Sequence, residues 1–272
     1  MTLKEATEAL AAAGVADPLS DARRIFAELG GVSRHDLFSP AVSTDREEAV
    51  SAVARRAKRE PLQYILGEAY FYRERYKVTP DCLIPREDTE LLVDFAVKNL
   101  PRGALFIDLC TGSGCVALSV LNNTRDTRAI MVDLSPGALS VARENAVALG
   151  LDGRAELRLC DATEPFDCGE IFAVLSNPPY VSSSAYEKLE KEIYFEPSMA
   201  FLGGEDGADF YRKITSIYRD KIAKDGFIAY EIGYDQGELI KEIADANRMT
   251  ATVCKDLSGN DRLAVLRVTD RE

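Results

Sequence analysis

Beyond Pro85, short runs of β-branched and aliphatic residues alternate with longer stretches at helical spacing. Seven of these runs are predicted strands: 105–109, 129–132, 155–159, 172–175, 226–232, 251–254 and 263–268. Strands that alternate with helices form a mostly parallel sheet with helices on both faces. The pattern therefore predicts an α/β fold, and we expect its last strand, 263–268, to be antiparallel.

Residues 1 to about 60 show helical periodicity only. The first predicted helix ends at Gly14 and the second begins at Pro18. Their apolar faces, with that of a third helix within 44–60, consist of Leu3, Ala6, Leu10 and Ala13, then Ala22, Ile25, Phe26 and Leu29, then Val50, Val53 and Ala57. We predict a small helical bundle and interpret its basic cluster (Arg55, Arg56, Lys58 and Arg59) as a solvated helix face.

Between these regions, aromatic residues alternate with charged ones over 70–78, a pattern typical of a strand pair. We place its turn near residues 73–75. Three parts are therefore predicted: a helical domain at 1–68, a β-hairpin linker at 69–80 and an α/β domain at 81–272.

Composition excludes several kinds of chemistry. The net charge of -12 disfavours nucleic acid as a partner. His35 is the only histidine, so a Ser-His-Asp triad and a multi-histidine site are excluded, and we expect no bound metal. The first residues lack the basic segment and following apolar segment of a signal peptide, and no apolar run approaches the roughly 20 residues that span a bilayer. We therefore expect neither secretion nor membrane anchoring. We interpret the six cysteines as reduced core thiols of a cytoplasmic protein: Cys82, Cys110, Cys115, Cys160, Cys168 and Cys254.

Three consecutive predicted strands end in an acid: Asp108, Asp133 and Asp161. After the first acid comes a glycine-containing turn, 110–114, which opens a helix and allows backbone N–H groups to approach a ligand. Asp133 follows that turn by about 20 residues, where a carboxylate can accept hydrogen bonds from ribose hydroxyls. The pattern indicates a nucleotide-containing cofactor.

Two cofactor classes fit this frame, a dinucleotide and S-adenosylmethionine. The turn lacks the third glycine of the dinucleotide signature, and Asp108 would repel a pyrophosphate. The same acid suits an ammonium group, directly or through water, so the residues favour S-adenosylmethionine.

The fourth strand leads into Asn177-Pro178-Pro179-Tyr180. Prolines fix the backbone and supply no N–H, so this loop presents hydrogen-bond acceptors rigidly. An amide nitrogen is a poor nucleophile because its lone pair is delocalised. The Asn177 side-chain oxygen and the Pro178 carbonyl would accept both of its hydrogens and localise that lone pair, while the Tyr180 ring covers the planar group. The proton becomes acidic only as the new bond forms, so no histidine base is needed.

Five segments resemble motifs of the glutamine N5-methyltransferases that modify peptide-chain release factors, the PrmC/HemK family: 61–67, 83–90, 108–114, 176–180 and 195–197. The resemblance covers nearly the whole chain. It implies a seven-stranded class I S-adenosylmethionine-dependent methyltransferase (Rossmann-like) domain behind a helical substrate-docking domain. The expected substrate is the glutamine of the Gly-Gly-Gln loop of class I release factors, methylated by a monomeric enzyme. Glutamine methylation of a ribosomal protein and adenine-N6 methylation of nucleic acid are the alternatives.

The resemblance and the turn together give the expected site. The cofactor-binding residues are Asp108, Cys110, Thr111, Gly112, Ser113, Gly114, Asp133, Asp161, Ala162 and Asn177. The substrate-binding residues are Asn177, Pro178, Pro179 and Tyr180, of which Asn177, Pro178 and Tyr180 are expected to be catalytic. Two positions depart from the family pattern. Cys110 stands where glycine is the commonest residue, which predicts a backbone conformation that a side chain tolerates. Glu87 stands where the family usually has a proline.

Overall fold

The computed structural model describes residues 1–269 and divides into two compact units. The first consists of Met1–Glu68 together with Glu190–Phe195, and the second contains the rest of the described chain. Residues 190–195 lie far along the sequence within the predicted α/β domain, yet they pack with the N-terminal helices. The predicted linker, 69–80, packs with the second unit.

The first unit contains the predicted helical bundle. Its helices are α1 (Leu3–Ala12), α2 (Pro18–Glu28), α3 (Glu47–Ala57) and α4 (Leu62–Leu66). The Thr2 hydroxyl accepts a hydrogen bond from the N–H of Glu5, whose carboxylate accepts one from the N–H of Thr2, so α1 begins at a capping box. Leu10 and Phe26 are fully buried in the core between these helices.

The predicted apolar face of α3 was partly wrong: Val53 is buried as expected, but the buried face also includes residues outside the prediction. The buried residues of α3 are Ala49, Ala52, Val53 and Arg56. Val50 and Ala57 are only half-buried. A charged residue occupies a core-facing position because Arg56 Nε donates to Asp21 Oδ2 at 2.7 Å and its Nη1 to Glu192 Oε1 at 3.2 Å.

The interpretation of the basic cluster as a solvated face was also wrong for two of its members. Arg56 is buried, and the Arg59 guanidinium makes two bonds to the Glu192 carboxylate, at 2.5 and 2.6 Å. Glu192 therefore binds both arginines within the first unit. Arg55 and Lys58 are the more exposed members of the cluster, as expected.

The predicted strand pair forms a separate two-stranded sheet of β1 (Glu68–Phe71) and β2 (Glu74–Lys77). Its connection is Tyr72-Arg73, slightly earlier than predicted, and Tyr72 has a φ of 58°. The side chains of Phe71 and Tyr76 are buried in the core of the second unit.

The second unit is built on a seven-stranded sheet with the order β5-β4-β3-β6-β7-β9-β8. Its strands are β3 (Leu105–Leu109), β4 (Arg128–Asp133), β5 (Ala155–Leu159), β6 (Ile171–Ser176), β7 (Ile222–Glu231), β8 (Met249–Lys255) and β9 (Asp261–Val268). The pairs among β3 to β7 are parallel, whereas β9 is antiparallel to β7 and β8. The predicted fold class and the antiparallel last strand are confirmed.

Helices cover both faces of this sheet. They are α5 (Glu90–Asn99), α6 (Cys115–Asn123), α7 (Pro136–Ala148), α9 (Asp209–Tyr218) and α10 (Gly237–Ala246), whereas the short α8 (Ser183–Tyr186) has no buried residue. One core joins α5, α6 and α7 to sheet residues such as Phe106, and the other joins α9 and α10 to residues such as Ile107. Adjacent residues of β3 thus enter opposite cores, as the two-residue period of a strand requires. Within residues 1–269, no helix is long and apolar enough to cross a membrane.

The ion pairs of the first unit give a prediction with a neighbouring control. Arg56→Leu should lower the free energy of unfolding by about 2–3 kcal/mol, because it leaves the largely buried Asp21 carboxylate without its cation and removes one of the two arginines that bind Glu192. Arg55→Leu should cost at most about 1 kcal/mol, because the Arg55 side chain is 45% exposed against 9% for Arg56. Urea denaturation of the full chain measures both, and equal losses would contradict the assigned role of Arg56.

Candidate active site

A cavity of about 500 Å³ lies at the carboxyl edge of the parallel strands. The chain runs from β3 outward to β5 and then returns to β6 on the other side of β3, and such a reversal of strand order opens a crevice for ligands. The loops that follow four strands all reach this cavity. They contribute Cys110 and Gly112 after β3, Asp133 at the end of β4, Asp161 and Ala162 after β5, and Asn177 and Pro179 after β6.

The turn after β3 has three residues in the left-handed region: Cys110 at φ 60°, Gly112 at 56° and Gly114 at 82°. The Thr111 N–H donates to the Val132 carbonyl at 2.9 Å, which holds the turn against β4. The expectation that Cys110 adopts a conformation suited to a side chain was wrong. The tight reversal imposes a positive φ, for which glycine is the favoured residue.

Asp108 lies behind the turn and does not line the cavity. Its carboxylate is 1% exposed and accepts hydrogen bonds from the Thr111 hydroxyl at 2.5 Å and the Ala117 N–H at 3.3 Å. Burial raises the pKa of Asp108 to about 7, and the two hydrogen bonds oppose that rise. Asp108 therefore connects the turn to the first turn of α6. Of the other predicted turn residues, Thr111, Ser113 and Gly114 also lie outside the cavity lining.

Asp133 and Asp161 reach the cavity and are held by neighbouring backbone groups. Asp133 accepts the N–H of Gly112 at Oδ2 and that of Ser135 at Oδ1, both at 2.9 Å. Burial raises the pKa of Asp133 above its ordinary value, and these hydrogen bonds offset part of that rise. Asp161 Oδ1 accepts both the N–H and the hydroxyl of Thr163 at 2.8 Å. Because a carboxylate offers about four lone-pair sites, both acids keep acceptor capacity toward the cavity.

The start of the Asn-Pro-Pro-Tyr loop is held to the sheet by a hydrogen bond between the ends of two strands. The Ser176 hydroxyl donates to the Leu109 carbonyl at 2.7 Å, which joins the ends of β6 and β3. Pro178 and Pro179 are buried, whereas Asn177 and Tyr180 are half-buried. Asn177 lines both the large cavity and a second cavity of about 40 Å³, which Tyr180 also lines.

Two residues absent from the predicted site contact this loop directly. Asn177 Nδ2 donates to Thr89 Oγ1 at 3.2 Å, and the Thr89 hydroxyl donates to Glu231 Oε2. The Tyr180 hydroxyl donates to Glu231 Oε1 at 3.1 Å. The signal was present in the sequence, since Glu231 is a further acid near the end of a predicted strand and Thr89 lies in the 83–90 motif.

A third residue missed as a site element is Glu196, which is 5% exposed. Its carboxylate accepts the Ile84 N–H at 2.9 Å and a hydrogen bond from the Arg86 guanidinium. The 83–90 motif is thereby attached to the segment that follows residue 195, and both segments contribute to the cavity wall through Leu83 and Pro197.

The sheet order, the two acids at the cavity and the rigid loop with its half-buried amide define a methyltransferase of the seven-stranded class. The sequence matches the model of the PrmC N-terminal domain over residues 2–67 and that of the methyltransferase small domain over residues 87–203. The chain belongs to the release factor glutamine methyltransferase family, as its relatives show.

It is 37% identical over 276 residues to the release factor glutamine methyltransferase of Cereibacter sphaeroides, covering 98% of this chain and 97% of that protein. The corresponding protein of Thermodesulfovibrio yellowstonii is 36% identical over 259 residues, covering 92% of each. Among solved structures, the ribosomal protein L11 methylase of Lactobacillus delbrueckii subsp. bulgaricus matches with a TM-score of 0.53 at 15% identity, over 71% of this chain and 84% of that one. This last likeness shows the fold alone.

The backbone at Cys110 gives a stability prediction. Cys110→Gly should be more stable than Cys110→Ala by about 0.5–1 kcal/mol, because glycine removes a left-handed strain of about 1–2 kcal/mol and adds a smaller entropic cost in the unfolded chain. Ala54→Gly, at an exposed position in α3, should instead lose about 1 kcal/mol. Urea denaturation tests both changes, and a Cys110→Ala variant more stable than Cys110→Gly would contradict the assigned strain.

Proposed function

We propose that this chain transfers a methyl group from S-adenosylmethionine to the side-chain amide nitrogen, N5, of the glutamine in the Gly-Gly-Gln loop of class I release factors. The observation that carries the proposal is Asn177, whose side chain reaches the cavity and is oriented there by Thr89. Family membership supplies the substrate class, because the relatives are release factor glutamine methyltransferases.

The residues at the cavity fit the cofactor. A volume of about 500 Å³ lies within the range of roughly 300–1,000 Å³ common for ligand pockets. Asp133 keeps acceptor capacity for ribose hydroxyls, and Leu134 and Ala162 give the wall apolar surface suited to adenine. Asp161 lies beside Ala162 and offers an acceptor for an exocyclic amino group. When bound, S-adenosylmethionine supplies an electrophilic methyl group.

The predicted interaction of Asp108 with the cofactor's ammonium, directly or through water, is not part of the proposal. Asp108 is turned toward Thr111 and Ala117, so we assign it to the shape of the turn. Cys110 and Gly112 are the turn residues on the cavity wall. They are proposed to contact the cofactor.

The loop after β6 is proposed to bind and activate the acceptor. Asn177 Oδ1 and the Pro178 carbonyl accept the two hydrogens of the glutamine amide, which localises the nitrogen lone pair and directs it into the cavity. Tyr180 covers the planar group, and its bond to Glu231 restricts the ring. With S-adenosylmethionine bound, the nitrogen would form its bond to the methyl carbon as the bond between that carbon and the sulfonium sulfur breaks, which leaves S-adenosylhomocysteine. The amide would then release one of its hydrogens as a proton to solvent, since that hydrogen becomes acidic as the new bond forms.

The helical domain is proposed to dock the release factor. The match of residues 2–67 to the PrmC N-terminal domain supports this role, since that domain accompanies the methyltransferase in the family. The net charge of -12 speaks against the adenine-N6 alternative. We propose further that the protein acts in the cytoplasm as a monomer and binds no nucleic acid stably.

Asp133→Ala should weaken S-adenosylmethionine binding by about 1.5–3 kcal/mol, the value of hydrogen bonds to a charged acceptor. Isothermal titration calorimetry measures the change. Asp245→Ala is the matched control, because Asp245 is exposed at the end of α10 and does not line the cavity. An unchanged affinity in Asp133→Ala would remove Asp133 from the cofactor site.

Labelled S-adenosylmethionine, a purified class I release factor and a variant of that factor lacking the Gly-Gly-Gln glutamine test the activity. We expect one methyl group on the intact factor, located by mass spectrometry, and none on the variant. Asn177→Ala should lower turnover at least about 10²-fold while keeping most of the cofactor affinity, because it removes the positioning group of the acceptor. Absence of label on the intact factor, or equal label on the variant, would overturn the proposal.

A further inference from the structure

We propose that Thr89 and Glu231 are positioning residues that determine which end of the Asn177 side-chain amide faces the acceptor. An asparagine amide carries an oxygen acceptor on one branch and an NH2 donor on the other. Only the oxygen can accept a hydrogen from a substrate amide. The inference deepens the proposed function and rests on it for the identity of that acceptor.

The hydrogen bonds run in one direction. Glu231 accepts from the hydroxyls of Thr89 and Tyr180, one at each carboxylate oxygen. An ionised carboxylate only accepts, so the single hydrogen of the Thr89 hydroxyl is committed to Glu231. The Thr89 oxygen is then left as an acceptor, and Asn177 must present its NH2 to it, as the contact of 3.2 Å shows.

Burial makes this arrangement rigid. Thr89 is 2% exposed and Glu231 is 3% exposed, so water does not replace their partners freely. Of these two cavities, Glu231 lines the small one, whereas Asn177 lines both. The amide therefore has its donor end on the Thr89 side, and its oxygen is available to the large cavity.

The groups that face Glu231 oppose the effect of its burial. Burial raises the pKa of Glu231 above its ordinary value, and the hydrogen bonds from Thr89 and Tyr180 and the charge of Arg262 offset part of that rise. Arg262 is itself paired with Asp88 at 3.2 Å and Asp256 at 3.3 Å. Asp88 opposes the effect of Arg262 on Glu231. A carboxylate that receives two hydroxyl hydrogens beside a guanidinium is a strong acceptor.

Reversal of the Asn177 amide would affect the acceptor and leave the cofactor contacts unchanged. With its NH2 toward the cavity, Asn177 would place a donor against the donor hydrogens of the substrate, and the lone pair of the acceptor nitrogen would stay delocalised. Cofactor contacts at Asp133 and Asp161 would not change, because they belong to other loops. Loss of the positioning residues should therefore reduce kcat and leave cofactor affinity unchanged.

Thr89→Val tests this inference because it keeps the shape of the side chain and removes the hydroxyl. We expect a loss of roughly 10- to 100-fold in kcat on the release factor, with the Kd for S-adenosylmethionine unchanged. Thr89→Ser, which restores a hydroxyl, should recover most of that loss. Thr215→Val is the matched control: Thr215 is also fully buried, with its hydroxyl 3.0 Å from that of Tyr230, and it lies outside the site.

A spectroscopic readout separates this inference from the proposed function. In protein labelled with ¹⁵N-asparagine, the side-chain NH2 signal of Asn177 is assigned by its loss in Asn177→Asp. We expect Thr89→Val to shift that signal and speed its hydrogen exchange, and Thr89→Ser to restore both. An unmoved signal in Thr89→Val, or a kcat loss shared equally by Thr215→Val, would overturn the inference. If wild-type protein fails to methylate the factor, the proposed function fails, while the NMR result still decides the orientation of Asn177.

Discussion

The pairing of β3 with β4 on one side and β6 on the other is the constraint on which the active site depends. Leu109 pairs with Val132 and with Ser176, so three strand ends are brought level at one edge of the sheet. Two hydrogen bonds strengthen this alignment, from Thr111 to the Val132 carbonyl and from Ser176 to the Leu109 carbonyl. Residues of separate loops thereby reach one cavity, although about 70 residues of sequence separate the first loop from the last.

Much of this architecture could be predicted because strand periodicity and strand ends are local properties. The spacing of apolar residues locates all seven strands of the sheet, and the acids at the ends of β4 and β5 reach the ligand cavity, as the sequence predicts. The face of α3 could not be predicted from apolar spacing. Arg56 occupies a core position only because Asp21 and Glu192 neutralise it, and a partner 136 residues away leaves no local signal.

The hydrogen-bond partners of the polar residues in the site could not be predicted from the sequence either. Asp108 was expected to face the ligand because acids at strand ends often do, but the sequence does not reveal which side of the turn a carboxylate takes. The helix that follows offers it the Ala117 N–H, and the turn offers the Thr111 hydroxyl. Thr89 and Glu231 were missed because their role depends on a contact between them, which the sequence does not show. A threonine before a helix is usually a helix cap, and the role of a buried glutamate depends on the groups that donate hydrogen bonds to it.

The return of residues 190–195 to the first unit means that the chain crosses between the two units three times, after residues 68, 189 and 195. The helical domain is therefore discontinuous in sequence. A transplant of residues 1–68 onto a relative's methyltransferase domain would bring Arg56 and Arg59 without their own Glu192, and its success would depend on whether the recipient supplies a carboxylate at that place. Recombination between members of the family is thus restricted by six residues that belong, by their position in the chain, to the other domain.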